Sequence, residues 1–264
     1  MNGQGKLLTH FLKNADKLVI PVYQRNYDWK EEHCKKLYSD LVKTVREGKR
    51  WHFFGGIVSV SDPMGSSSDY LVIDGQQRIT TVSLLLLAIA NLVKAGIVTP
   101  KDPNLYDVIT KKYLVDEINP KQRKMKLKPI KGDQDSYDRL WGDPSEYNQS
   151  SRITQNYLYF YNQIQRDDIS VDQLFSAVEK LQIIDITLTP PDDDPQLVFE
   201  SLNSTGLDLN EGDKIRNFVL MRRSMEEQEQ FYDDYWSPIE KNASYDRQTN
   251  SYDVSPFIRD YLGI

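Results

Sequence analysis

One short run of residues combines the types and spacing that phosphate binding needs. The run is Asp74-Gly75-Gln76-Gln77-Arg78, and it joins a strand-like segment to an apolar helical one. A helix that begins directly after a glycine turn leaves its first backbone N–H groups unpaired, and its dipole adds about half a positive charge there. Such a helix start binds anions, phosphate above all. Arg78 strengthens the prediction, since a cation in the first helical turn is unfavourable unless an anion lies nearby.

A purely structural interpretation of this run is equally open. Gly75 could simply turn the chain, and Thr80 and Thr81 could cap the helix. Arg78 could then pair with a surface carboxylate. The residue types alone do not decide between the two interpretations.

A second polar cluster spans 199–217, where one apolar helix ends and another begins. Its hydrogen-bonding side chains are Asn203, Thr205, Asp213, Arg216 and Asn217. Taken alone, this cluster is more typical of a capped helix–loop–helix than of a binding site.

A third segment, Ile20-Pro21-Val22-Tyr23-Gln24-Arg25-Asn26-Tyr27-Asp28-Trp29, completes a pattern of four motifs. The others, in order along the chain, are Phe54-Gly55-Gly56, the 74–78 run followed by Thr80-Thr81, and Leu202-Asn203-Ser204-Thr205-Gly206-Leu207 followed by Asp213-Lys214-Ile215-Arg216-Asn217. Together they resemble the N-terminal domain of GmrSD-type modification-dependent restriction enzymes. The resemblance covers roughly residues 8–221, and it is specific because the motifs occur in the same order.

The resemblance implies a fold, an activity and a set of site residues. The fold is ParB/sulfiredoxin-like, with Gly75-Gln76-Gln77-Arg78 in the place of ParB's phosphate-binding loop. The activity is binding and hydrolysis of a nucleoside triphosphate with a divalent metal, Mg²⁺, coupled to restriction of modified phage DNA. The implied catalytic residues are Asp74, Gln77 and Arg78. Asp74 would hold the turn or position the metal. Gln77 would orient the attacking water, as a glutamine does in small GTPases. The implied nucleotide-binding residues are Gln24, Arg25, Gly55, Gly56, Gly75, Gln76, Thr80, Thr81, Asn203, Thr205, Asp213, Arg216 and Asn217.

A single pocket of this kind requires distant residues to meet at the start of the central helix. These residues are Arg25, Gly55, Arg78, Asn203 and Arg216. Arginines placed close together repel one another, so an anion or an acidic partner such as Asp74 or Asp213 is expected between them.

The same pocket also suits a non-hydrolysing module that recognises modified DNA, since glutamine side chains both donate and accept hydrogen bonds. In either case the expected partners are glycosylated or otherwise marked DNA and a nuclease domain in cis or in trans, and self-association is left open. This chain itself is not expected to cleave DNA. Its histidines, His10, His33 and His52, all precede residue 53 and match no nuclease or zinc motif.

The composition sets further limits on partners and location. With 33 Lys+Arg against 39 Asp+Glu, the net charge of -6 excludes a surface that binds polyanions throughout. A local basic stretch remains at 120–131, where alternating lysines would line one face of a strand and contact phosphates.

The single cysteine, Cys34, excludes an internal disulfide. The most apolar run, 82–93, is too short to span a bilayer, so a cytoplasmic location without a membrane partner is expected.

The hydrophobic patterning predicts an α+β fold to hold these residues: a small mixed β-sheet with a buried central helix, followed by a mostly helical region. The central helix is predicted at 76–94, with Gly96 near its end, because the run is apolar almost all round. Segments 53–60 and 70–74 predict a β-hairpin, and 182–188 is β-branched enough to join the same sheet.

Local signals predict further elements. A strand is expected at 17–23, and a helix is expected after a capping box at Asp28 and Glu31, ending near Gly48. Gly3-Gln4-Gly5-Lys6 is predicted to be a flexible terminus. Further helices are predicted near 104–117, 134–141, 152–166, 171–181 and 211–236.

These elements suggest a division of the chain into three parts. Residues 1–98 are predicted to form the nucleotide-binding core, and 99–221 a helical region whose strands return to that core and which carries the second polar cluster. Residues 222–264 are predicted to form a helical connector toward a C-terminal domain.

Overall fold

The chain folds into two units, one built on a β-sheet and one mainly helical. A computed structural model describes residues 2–61, 69–116, 124–166, 169–203, 211–221, 223, 225–243, 245–246, 251–252 and 254–263. One unit consists of Met1–Ile20 and Asn26–Asp193, and the other of Pro21–Arg25 and Asp194–Ile264. The first unit contains a β-sheet and the central helix, and the second is mainly helical.

A mixed β-sheet forms the framework of the first unit. The strands of this unit are β1 (Asn2–Leu7), β2 (Lys17–Val19), β3 (His52–Ser61), β4 (Asp69–Asp74), β5 (Val115–Asp116), β6 (Lys124–Met125), β7 (Leu127–Lys128) and β8 (Leu181–Leu188). Six of them form one sheet in the order β1-β8-β3-β4-β2-β7, and β5 pairs with β6 separately. β3 and β4 are antiparallel, and β8 lies parallel to β3. The predicted hairpin and the predicted return of 182–188 to the sheet are both confirmed.

The helices of the first unit surround one long apolar helix. They are α1 (Leu8–Asn14), α2 (Glu31–Arg46), α3 (Gln76–Lys94), α4 (Leu105–Ile109), α5 (Lys131–Arg139), α6 (Arg152–Ile164) and α7 (Val171–Val178), with a π-helical turn at Thr110–Leu114 and a 3-10 turn at Pro144–Glu146. α3 contacts α4 and α6, and residues 84–90 along it are fully buried. A helix buried on every face must be apolar all round, which is the pattern that predicted it. By length and composition alone α3 could cross a membrane, but 83% of its apolar window is buried inside the protein, as in a core helix.

Strand β1 corrects the expectation of a flexible terminus at residues 3–6. It runs antiparallel to β8, with Leu7 opposite Gln182. Lys6 Nζ donates to Asp185 Oδ2 at 2.5 Å, a partner 179 residues along the chain. Glycines lower strand propensity locally, and the partner that overrides them is remote in sequence. The local pattern therefore indicated a flexible end where the fold makes a strand.

The basic stretch at 120–131, of which 120–123 lie outside the described residues, also differs from expectation. A bend at Lys126 separates β6 from β7. The Lys126 ammonium is buried and donates to the carbonyls of Leu12 and Lys13, at 3.2 and 3.0 Å, near the end of α1. Burial lowers the pKa of Lys126 from its ordinary value. This lysine therefore stabilises the last turn of a helix and does not contact phosphates on a strand surface.

Helices dominate the second unit. They are α8 (Pro195–Asn203), α9 (Glu211–Leu220), α10 (Met225–Phe231), α11 (Ser237–Ala243) and α12 (Ser255–Leu262), with a π-helical turn at Tyr232–Trp236 and two short strands, β9 (Tyr245–Asp246) and β10 (Ser251–Tyr252). The small core of this unit contains Val22, Tyr23, Leu220, Tyr232 and Trp236. Because Val22 and Tyr23 come from the Pro21–Arg25 segment, the unit takes its core from two separate parts of the chain. Across both units the architecture is α+β, as predicted.

Candidate functional site

Gly75 sets the geometry of the turn between β4 and α3. Its φ of 95° lies in the left-handed region, and it immediately precedes the helix. A Cβ at this position would lie 3.1 Å from Gly56 O and 3.0 Å from Ile57 Cγ1. The turn therefore packs directly on the backbone of β3, which a residue with a side chain would prevent. The start of α3 is held against the two glycines of β3.

Arg78 lies across those two glycines. Its Nη1 donates to Gly56 O at 2.6 Å and lies 3.6 Å from Asp74 Oδ2. Gly55 has a φ of 119°, and a Cβ there would approach Arg78 Nε to 2.8 Å. The Arg78 and Asp74 side chains are 28% and 40% exposed, so both charges are reachable from solvent. The structural interpretation expected Arg78 to pair with a surface carboxylate. Arg78 does pair with one, Asp74 of the same turn, and it also binds the backbone of β3.

The first turn of α3 contains one cation, Arg78, and no acidic residue. No side chain caps it. The helix dipole and the Arg78 guanidinium act in the same place, and Asp74, just before the turn, offsets part of the charge. Helix starts of this kind bind anions through their first N–H groups.

The side-chain amide of Gln77 is hydrogen-bonded to the backbone of the segment that follows Arg25. Its Oε1 accepts hydrogen bonds from the N–H groups of Asp28 and Trp29, at 3.0 and 3.2 Å. Its Nε2 donates to Asn26 O at 3.2 Å. The amide carbonyl has two acceptor positions, and both are filled by backbone donors. Gln77 therefore fixes residues 26–29 to the start of α3, and the predicted orientation of water by its carbonyl would require these bonds to break.

Side chains from α5 and α6 hold the same segment. Tyr27 N–H donates to Asp133 Oδ2 at 2.6 Å. Asn156 Nδ2 donates to Trp29 O at 2.6 Å and to Tyr27 Oη at 2.9 Å. Sequence reasoning missed Asp133 and Asn156. The sequence did contain one indication of this contact. Asn156 is a polar residue on the apolar stripe of α6, and it is only 1% exposed in the structure.

The stability of the first unit should depend on pH through Asp133. Burial raises the pKa of this carboxyl group from 3.8 to about 6. Because the folded protein binds the proton more tightly than the unfolded chain, protonation stabilises the fold at low pH, and this stabilisation is lost as the pH rises from 3.8 to about 6. Asp133→Asn cannot ionise, so the variant should gain roughly 2 kcal/mol over the wild type between pH 4 and pH 7.

Urea unfolding of both proteins at the two pH values measures that difference. Asp135→Asn is the matched control, because Asp135 is a solvent-facing neighbour on the same helix that pairs with Arg139. The control should follow the wild-type profile. Parallel profiles for wild type and Asp133→Asn would show that Asp133 does not titrate as described.

The other predicted residues at the start of α3 are buried. Thr81 Oγ1 donates to Gln77 O at 2.8 Å and lies 2.7 Å from Tyr27 Oη. Thr80 is 2% exposed and Gln76 8%. These side chains stabilise the helix start from inside, and the solvent-facing contacts are left to Asp74 and Arg78.

Arg216 of the second polar cluster is part of a buried charge network in the second unit. Its Nε donates to Tyr23 O at 3.1 Å, its Nη1 to Glu240 Oε1 at 2.8 Å and its Nη2 to Asp213 Oδ1 at 2.7 Å. Glu240 also accepts from Trp236 Nε1, at 2.8 Å. Asp213 is therefore an acidic partner of Arg216, and Glu240 is a second one that sequence reasoning missed; the predicted acidic bridge between several arginines stays a prediction.

The remaining predicted residues are placed as follows. Gln24 is buried and Arg25 half-buried. Asn217 is buried, and its Oδ1 has no hydrogen-bond partner among the described residues. Asn203 ends α8 but its side chain, like the whole of Thr205, lies outside the described part of the chain.

The first unit thus brings Asp74, Gly75 and Arg78 together with Gly55 and Gly56. Arg25 and Arg216 belong to the second unit. Convergence of all the predicted residues on one cleft stays a prediction.

Metal ligation was predicted for Asp74. Within the ranges that the structure describes, no group of three or more His, Cys, Asp or Glu side chains is arranged to hold a metal ion. Asp74 is a single exposed carboxylate beside the positive helix start. Mg²⁺ commonly uses one or two protein carboxylates together with waters and substrate phosphates, and a lone carboxylate is compatible with that mode.

Comparison with known proteins gives a family. A search of curated proteins found no match. Among protein families, residues 8–220 match the model of the family described as GmrSD restriction endonuclease, N-terminal domain. The matched range includes the 20–29 segment that follows β2, Phe54-Gly55-Gly56 of β3, the turn at 74–78, and the 202–217 region that ends in α9. The chain belongs to the family of GmrSD restriction endonuclease N-terminal domains.

Proposed function

We propose that this domain binds a nucleoside triphosphate at the 74–78 turn and hydrolyses it with Mg²⁺, and that hydrolysis controls DNA cleavage by a nuclease domain in cis or in trans. The observation that carries the proposal is the left-handed Gly75 before α3, with Arg78 placed on the backbone of Gly55 and Gly56. A helix start offers its first N–H groups to an anion, and the partly exposed Arg78 guanidinium belongs to the same first turn, which supports the proposal. Family membership supports the link to DNA cleavage, and the proposed target is modified DNA.

Each residue of the turn has a proposed role. The N–H groups of the first helical turn bind phosphate oxygens, and Arg78 stabilises the negative charge that develops on the transferred phosphoryl group. Gly55 and Gly75 keep the space that side chains would fill. Gln77 holds residues 26–29 in place beside the turn, as its hydrogen bonds support.

Asp74 is the proposed protein ligand for Mg²⁺. Its carboxylate is partly exposed, and the residue both ends β4 and begins the 74–78 turn. The ion would supply neutralisation of phosphate charge when bound with the nucleotide. In its absence, the 3.6 Å ion pair with Arg78 keeps the carboxylate beside the turn.

Phosphate release by the purified chain tests the proposal. With Mg²⁺ present, at least one of the four common ribonucleoside triphosphates should be hydrolysed, and chelation of the metal should stop the reaction. DNA, glucosylated or unmodified, should remain intact under the same conditions, because the proposal assigns cleavage to a separate nuclease domain.

Two results would contradict this proposal. Absence of nucleotide binding by calorimetry, together with tight binding of glucosylated DNA, would favour the non-hydrolysing recognition module. DNA nicking that persists through purification and is lost in Asp74→Ala would assign the nuclease activity to this chain.

A further inference from the structure

Three aromatic side chains form a cluster in the first unit, and two of them, Trp29 and Phe54, pack against its hydrophobic core. The rings of Trp29 and His33 are stacked, with centroids 5.3 Å apart and an interplanar angle of 17°. Phe54 meets Trp29 edge to face, with centroids 6.5 Å apart. All three residues are half-buried, so the cluster is neither sealed in the core nor fully in solvent.

The aromatic cluster is joined to the phosphate-binding turn at two points. Phe54 directly precedes Gly55, the position at which a Cβ would approach Arg78 Nε to 2.8 Å. The backbone N–H of Trp29 donates to Gln77 Oε1, and Gln77 is the neighbour of Arg78 in α3. The aromatic cluster and the 74–78 turn are therefore linked within one unit, through Gln77 and through β3.

The cluster is also held rigidly. Trp29 is bonded through both backbone groups, its N–H to Gln77 and its carbonyl to Asn156 Nδ2 at 2.6 Å. His33 Nδ1 accepts a hydrogen bond from Lys30 N–H at 3.1 Å, which fixes the imidazole in its stack on Trp29. A stacking surface that is already ordered loses little conformational entropy when a ligand binds.

We infer that the Trp29, His33 and Phe54 cluster is the nucleobase-binding part of the nucleotide site. This inference rests on the proposed function, which supplies the phosphate half of the ligand. A nucleoside triphosphate presents a planar aromatic base at one end and a polyanion at the other, and the two neighbouring features match these two chemistries. Stacking recognises any base by its π-face, so the cluster contributes affinity for all four nucleotides.

Comparison of two ligands in Trp29→Leu separates the base contact from the phosphate contact. The variant should bind the preferred nucleoside triphosphate roughly tenfold to hundredfold more weakly than the wild type, the usual effect of losing one stacking surface. Its affinity for inorganic tripolyphosphate, which has no base, should change by less than about twofold. Trp51→Leu is the matched control, since Trp51 is 55% exposed and lies outside the cluster, and it should leave both affinities unchanged.

Tryptophan fluorescence provides a second readout. Base stacking on Trp29 should quench part of the emission of the four tryptophans when nucleotide is added. Trp29→Phe keeps an aromatic ring, so it should retain most of the affinity while losing the quench. Thermal unfolding of each variant checks that it is folded.

The outcomes separate this inference from the proposed function. An equal loss of both affinities in Trp29→Leu, or no loss for the nucleotide, overturns the base assignment and leaves the phosphate-binding turn standing. A wild-type protein that binds neither ligand overturns both. Single-stranded DNA that binds through Trp29 in a protein with no affinity for free nucleotides also overturns both, and assigns the cluster to DNA.

Discussion

Replacement of Arg216 by alanine is expected to lower the free energy of unfolding by roughly 3–5 kcal/mol. The guanidinium side chain is 6% exposed, and its three nitrogens donate to Tyr23 O, Asp213 and Glu240. Alanine would leave the carboxylates of Asp213 and Glu240 near each other in a largely buried site without the Arg216 guanidinium. A buried charge without its partner costs several kcal/mol, far more than the intact pair contributes. Urea unfolding followed by fluorescence measures the loss, since Trp236 lies in the same network.

Arg259→Ala is the matched control for this effect. Arg259 pairs with Glu211 at 2.9 Å in the same unit, but both side chains are more than half exposed. An exposed pair contributes about 1 kcal/mol or less. Adding Glu240→Gln to the Arg216→Ala protein should recover part of the stability, because one of the two neighbouring negative charges is removed. If Arg216→Ala costs no more than Arg259→Ala, solvent satisfies the carboxylates and the network is not a buried one.

Arg78→Ala is expected to reduce triphosphate turnover roughly a hundredfold to a thousandfold while the domain stays folded. The side chain makes one hydrogen bond to Gly56 O and one longer ion pair with Asp74, and it is partly exposed. Its loss therefore removes few packing contacts. Under the proposed function it also removes the cation that meets the developing charge on phosphate, in a place where the helix dipole alone remains. Steady-state phosphate release, expressed per folded molecule, gives the ratio of wild-type to Arg78→Ala turnover.

Two comparison variants make the Arg78 result interpretable. Arg139→Ala removes an exposed arginine that pairs with Asp135 in the same unit, and its turnover should equal that of the wild type. Arg78→Lys keeps the charge but not the forked donor geometry, so its turnover should be intermediate. Unchanged activity in Arg78→Ala, combined with a thermal midpoint lowered by many degrees, would identify Arg78 as a structural residue that ties α3 to β3.

The sequence pattern was most informative where structure is decided locally. The 76–94 helix was predicted with the bounds observed for α3, because a run that is apolar on almost every side and is followed by Gly96 indicates both the burial and the end of a helix. Gly75 was predicted to turn the chain, and it does so with a left-handed φ that residues with a side chain rarely adopt. The juxtaposition of that turn with Gly55 and Gly56 followed from the family resemblance, since no local pattern relates β3 to the start of α3.

Long-range contacts account for what the sequence pattern did not predict. The helix after Tyr27 was expected to start at a capping box formed by Asp28 and Glu31, yet α2 begins at Glu31 with Lys30 before it. Asp28 N–H is instead bound by Gln77, 49 residues away. The same contact gives Gln77 a role that its position in a phosphate-loop pattern did not suggest. Side chains that bond to remote backbone leave no periodic signal in the sequence.

The discontinuous makeup of the second unit has a consequence for synthesis on the ribosome. Tyr23 leaves the ribosome 193 residues before Arg216, its hydrogen-bond partner. At translation rates of about 5–20 residues per second, the Pro21–Arg25 segment waits roughly 10–40 seconds for the rest of its unit. Residues 26–193 can complete the first unit within that interval. Val22 and Tyr23 are buried only when Leu220 and Trp236 arrive, so the second unit closes last and the nascent chain carries an apolar segment that chaperones can bind until then.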